Sequence, residues 1–288
     1  MKHTYSITLV MLALFLGSQL VGLALLDSYL DKDTSEFKKV YLGGLEIERP
    51  ETTGPQTLAL IAFAILIGTA LIFLLMKFAW NLIWRAWFFL ALVACLGVAF
   101  TAFIPEPYPL LLAFILAGWR ILRPNPILHN LTELFIYGGL AIIFVPLLNL
   151  KTAIILLILI SVYDAYAVWK SKHMIKLAKF QAKSKLFAGM VVPYSWKKMP
   201  KLKKPRKTKG KVIKTRTAIL GGGDMGFPLF FAGTALIEYG ILKTLLIPAC
   251  ATIALAYLLY QGDKNKFYPA MPYLTVGCFI GLALIQLL

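Results

Sequence analysis

Residues 218–260 read AILGGGDMGFPLFFAGTALIEYGILKTLLIPACATIALAYLLY, and this stretch decides the fold. It is too apolar for a solvated segment and too long for one membrane crossing, which takes about 20 residues for a hydrocarbon core of about 30 Å. Glu238-Tyr239-Gly240 and Lys243 mark a tight turn that divides it into helices at 218–238 and 242–260. Asp224 stands inside the first of these, directly behind Gly221-Gly222-Gly223. An ionisable side chain in a membrane span is expensive, so by default it marks function or a specific partner.

Similar apolar runs recur along all 288 residues, of which 59% are hydrophobic and 15% charged. With a mean hydropathy of +0.76, this composition specifies an all-α, polytopic membrane protein and leaves no residue block for a soluble domain. The expected spans are 5–26, 57–76, 84–104, 107–119, 131–150, 152–171, 218–238, 242–260 and 267–287, nine transmembrane helices in all. Six of them lie in 1–171 and three in 218–288, with a basic loop at 172–217 between. The first run is longer than a signal-peptide core and reads as a retained helix.

The formal charge of +17 would suggest nucleic acid in a soluble protein, but its distribution argues otherwise. Seventeen of the 30 Lys and Arg residues fall between Lys170 and Arg216, a stretch without Asp or Glu, while seven of the 13 acids fall between Asp27 and Glu51. This alternation follows the positive-inside rule. A cytoplasmic N-terminus puts 24 of the 30 positive residues inside, among them Lys77, Arg85, Arg120 and Arg123, and leaves the C-terminus outside. Trp84, Trp87, Trp119 and Trp169 then fall at cytoplasmic helix ends as an aromatic belt. The chain is expected to be a multi-pass protein of the cell membrane whose basic loop attracts anionic lipid headgroups, with no nucleic-acid partner. The apolar patch Leu186 to Val192 in that loop is expected to lie in the membrane interface. Glu133 and Glu238 read as interfacial too.

A second intramembrane acid, Asp164, lies in Ser161-Val162-Tyr163-Asp164 on the sixth expected helix. Twelve residues from that helix's outer start is roughly 18 Å at 1.5 Å per residue, and Asp224, six residues from the inner start of the seventh, is roughly 9 Å deep. On antiparallel helices these positions meet at one depth, and two carboxyls sharing a low-dielectric site hold one proton between them. Such a pair activates a water with its ionised member and donates to a carbonyl with its protonated member. The glycines at 221–223 let a substrate backbone come close and tolerate unusual dihedrals beside the acid. An unwound substrate helix needs a protein edge to pair with in lipid, and irregular backbone at 221–223 and at Pro269-Ala270-Met271-Pro272 offers one.

Together these residues resemble the presenilin and signal peptide peptidase family of intramembrane aspartyl proteases. Its pattern is Tyr-Asp, Gly-x-Gly-Asp and Pro-Ala-Leu on the sixth, seventh and ninth of nine helices. Tyr163-Asp164 and Gly221-Gly222-Gly223-Asp224 match fully, and Pro269-Ala270-Met271 differs only in Met for Leu. The resemblance implies Asp164 and Asp224 as the catalytic pair. It also implies Tyr163, Gly221, Gly222, Gly223, Pro269, Ala270 and Met271 at the substrate. Signal peptide peptidases are inverted in the membrane, so the inward basic loop resembles the presenilin branch, most closely its microbial members, with substrates of a single span whose N-terminus is outside. Animal members use accessory subunits and clip their own loop; nothing in this sequence indicates either.

Other chemistries fit less well. His3, His129 and His173 read as terminal or loop residues, so neither a helical zinc site nor a His beside a buried Ser is expected, and no cofactor is implied. Cys95, Cys250 and Cys278 stand singly as packing residues. A prepilin-type peptidase also uses Gly-x-Gly-Asp but lacks the other two elements. A proton- or ion-coupled transporter or channel would use the same acids, but the sequence shows no clear internal repeat of the kind transporters often have.

Overall fold

The computed structural model describes residues 3–31, 33–34, 36–48, 50, 54–78, 80–170, 186–194, 217–263 and 268–288. Most of the basic loop, at 171–185 and 195–216, lies outside them, as do Lys2, His173, Lys264 and Lys266. Nine α-helices run through the described residues: α1 Tyr5–Tyr29, α2 Gly54–Phe78, α3 Asn81–Phe100, α4 Tyr108–Leu122, α5 Pro126–Phe144, α6 Leu150–Trp169, α7 Gly222–Thr244, α8 Leu246–Gln261 and α9 Met271–Leu287. Six are long and apolar enough to cross a membrane, and α4, α8 and α9 are shorter apolar helices.

Local chemistry explains where the boundaries depart from expectation. α5 starts at Pro126, five residues early, because Asn125 accepts from the Ile127 amide and Pro fits the first turn. It yields to a 3₁₀ turn at Val145–Leu147, where Pro146 has no N–H to continue the ladder. α6 opens on a capping box in which Asn149 and Thr152 satisfy each other's amides. The turn expected at Glu238-Tyr239-Gly240 appears as a kink at Gly240, whose φ of 73° and ψ of 169° are non-helical.

The fold is mostly helical, as expected, with two short ribbons that were not anticipated. β1 (Tyr41–Leu42) and β2 (Leu45–Glu46) make a small hairpin. β3 (Gly189–Pro193) and β4 (Thr217–Gly221) form an antiparallel ribbon with Gly189 opposite Gly221 and Pro193 opposite Thr217. Residues 218–221, expected as helix, are therefore strand. Ala218 and Leu220 point inward and Thr217 and Ile219 outward, a period of two. Nor does Leu186 to Val192 rest on a surface: Met190 and Val192 are in the main core, and Leu186 packs with Leu75 and Trp84. Trp84 is thus buried, whereas Trp87, Trp119 and Trp169 are exposed.

The core gathers α1, α5, α7, α8 and α9 around Phe15, Leu26, Ile142, Leu229 and Phe231. Without a hydrophobic drive between helices in lipid, close backbone approach supplies attraction. On α9, Gly277 and Gly281 do this: a Cβ there would stand 2.8 Å from Ala251 Cα and 2.6 Å from Ile247 Cα, so α8 and α9 pack backbone to backbone. α6 packs against both α7 and α9.

Candidate active site

α6 buries one stripe, Leu156, Leu157, Ile160, Asp164 and Ala167, at the spacing of a single helix face. Asp164 is thereby carried into the protein at 8% exposure. Its Oδ2 accepts from the Met271 amide at 3.1 Å. That amide is the first of α9, where helix N–H groups lack an internal partner and the dipole favours negative charge. One turn away, the hydroxyls of Ser161 and Thr275 bond at 2.6 Å, a second tie between α6 and α9. Pro269, Ala270 and Met271 are buried and Tyr163 is half-buried.

Asp224 arrives differently. β4 ends at Gly221, the N-cap of α7, so Asp224 is the third residue of that helix and lies in its first turn. It is preceded by the ribbon and not, as expected, by six residues of helix. A Cβ on Gly221 would stand 3.2 Å from Asp224 Oδ2, so the carboxyl turns back over the helix start. A Cβ on Gly222 would be 3.1 Å from the Tyr137 hydroxyl and 3.3 Å from the Ala188 carbonyl. Gly223 is exposed. Gly221 and Gly222 are thus closely approached by this chain's own groups, and positive φ falls elsewhere, at Gly43, Gly44, Gly189 and Gly240 among the described glycines. From α1, the fully buried Gln19 donates Nε2 to the Met225 carbonyl at 2.8 Å, bracing the same turn.

All three motifs therefore fall on mutually packed helices, α6, α7 and α9. The sequence reading missed the polar cluster beneath them. Glu133 is 1% exposed rather than interfacial, and Arg120 is 4% exposed rather than at the cytoplasmic surface. They form a buried ion pair. Arg120 also donates to Thr132 Oγ1 at 2.8 Å and to the Phe187 carbonyl at 3.0 Å, and Tyr137 donates its hydroxyl to Glu133 Oε2. His129 is on α5, not in a loop. A signal was present: His129, Glu133 and Tyr137 recur every four residues, one polar line along an apolar helix.

The apolar helices and their packing define a multi-pass membrane protein, and its similarity to known proteins gives its class. Residues 12–288 match the model of the family "Signal-peptide peptidase, presenilin aspartyl protease". The fold is that of two solved structures of a presenilin family intramembrane aspartate protease. The one in a P2 space group has a TM-score of 0.63 at 20% identity, covering 97% of each chain. The one in C222 has a TM-score of 0.59 at 19% identity, covering 96% of this chain and 99% of the other. No curated protein matches the sequence. The chain belongs to the signal-peptide peptidase and presenilin family, and is an aspartic endopeptidase that works within the membrane.

Proposed function

We propose that Asp164 and Asp224 are the catalytic pair, hydrolysing a peptide bond within a transmembrane helix of the substrate. What carries the reading is the hydrogen bond from the Met271 amide to Asp164, which joins the first and third motifs, with Asp224 in the first turn of the helix packed beside them. The ionised acid takes a proton from water as the oxygen attacks the scissile carbonyl, and the protonated acid donates to the carbonyl oxygen. Collapse of the tetrahedral intermediate breaks the C–N bond, with a proton passed to the leaving nitrogen. Each acid lies near a helix start, α9 for Asp164 and α7 for Asp224, and this positive potential also suits a developing oxyanion.

Substrate binding is assigned to Tyr163, Gly221, Gly222, Gly223, Pro269, Ala270 and Met271. An unwound substrate pairs along the edge of β4 that β3 does not occupy, which satisfies its backbone away from water. All nine helices cross the cell membrane, the N-terminus inside and the C-terminus outside. At about 22–26 Å, α4, α8 and α9 span a locally thinned bilayer. Substrates have a single span with the N-terminus outside, and the basic loop rests on anionic headgroups.

Purified wild type, Asp164→Asn and Asp224→Asn, incubated with such a substrate, are compared by mass spectrometry of the products. Cleavage within the span by wild type alone is expected; equal cleavage by all three would refute the pairing.

A further inference from the structure

Every strand of a two-stranded ribbon has an outer edge whose backbone groups need partners, above all in a membrane protein. On β3 that edge is met by side chains of α4 and α5. Asn130 pairs with Val191 as a neighbouring strand would, Nδ2 donating to its carbonyl and Oδ1 accepting from its amide, both at 2.9 Å. His129 Nε2 is 2.7 Å from the Gly189 carbonyl, which has no proton to give, so the ring donates. Glu133 Oε2 accepts from the Gly189 amide at 3.2 Å. Arg120 reaches the Phe187 carbonyl.

The chain of contacts continues to the chemistry. The carbonyl of Ala188, between those two anchored residues, accepts from the Gly222 amide at 3.2 Å. Tyr137, bonded to Glu133, packs under Gly222. Asp224 is two residues further on. A ribbon of five-residue strands would otherwise be marginal alone, so the position of Asp224 depends on what holds β3.

We infer that Asn130, His129, Glu133 and Arg120 are positioning residues: a buried clamp that replaces a third strand on β3 and fixes, through β4 and Gly222, where Asp224 stands. This rests on Asp224 belonging to the catalytic pair. The clamp makes no contact with substrate and acts by geometry, so loosening it lowers turnover more than binding.

The full chain is assayed with a single-span substrate as wild type, Asn130→Ala, His129→Ala, His129→Gln and Asp224→Asn, with rates normalised to folded protein. Asn130→Ala is expected to lower kcat by about tenfold to a hundredfold, the scale for misplacing a catalytic group by up to an ångström, with KM nearly unchanged. Amides of 189–193 and 217–221 should exchange hydrogen faster, and His129→Gln, which keeps an N–H within reach of Gly189, should recover most of what His129→Ala loses. Wild-type kcat per folded molecule in both alanine variants, with Asp224→Asn inactive, overturns the clamp and leaves the catalytic pair standing. An active Asp224→Asn overturns the pair instead. Should Asn130→Ala not fold, the two His129 variants decide.

Discussion

Asp164 and Asp224, the two acids of the proposed pair, are held in opposite ways. Asp164 stands in mid-helix, and its position follows from the period of α6 and its bonding to the head of α9. Asp224 stands at a helix start, and its position follows from a strand, that strand's partner, and a set of polar side chains from two other helices. The first seat is made by backbone regularity and packing, the second by a network in which each member satisfies the next. Such networks are costly when incomplete, since a polar group stranded in a low-dielectric interior loses its full hydration. The seat of Asp224 is therefore the more breakable one.

The comparison can be broken most sharply at the ion pair. Arg120→Met leaves Glu133 buried without its guanidinium and is expected to cost about 3–5 kcal/mol. Denaturation in detergent measures this. Converting both partners, as Arg120→Met with Glu133→Gln, should recover most of that loss, because the uncompensated charge is then gone. A single variant as stable as wild type would mean that the pair is idle.

A smaller effect is expected at Gly189. Its φ of +136° and a would-be Cβ only 2.2 Å from the Leu220 carbonyl leave no room for a side chain. Gly189→Ala should cost about 1–3 kcal/mol, the range for overpacking, and depress cleavage by shifting the ribbon. The smallest effect belongs to the other seat. Ser161→Ala removes the bond to Thr275 and should cost only about 0.6 kcal/mol, the average for polar contacts between membrane helices. Cleavage should persist at near the wild-type rate. A loss as large as that of Arg120→Met would erase the distinction between the two seats.

The same contrast explains what could be read from sequence. Nine apolar runs and two acids within them are local facts, so the helices and both acids are visible in the order of residues. Asp164 meets the Met271 amide because α6 and α9 pack. The ribbon was hidden because residues 186–193 are apolar and short, and nothing local reveals that a partner strand lies more than twenty residues on. Glu133 and Arg120 were hidden for a related reason. Each looks interfacial on its own helix, and only their pairing makes burial affordable. The triplet 221–223 did not reveal the strand that ends at its first member.

The β3–β4 ladder also bears on chain continuity. Residues 195–216 join strands that are already zipped together, and α6 packs against α7 and α9 across the same divide. A break in the peptide anywhere in that connection would yield two polypeptides with no need to separate. The ladder and the helix contacts between the halves would keep them in register, so the enzyme is suited to reconstitution from co-expressed fragments.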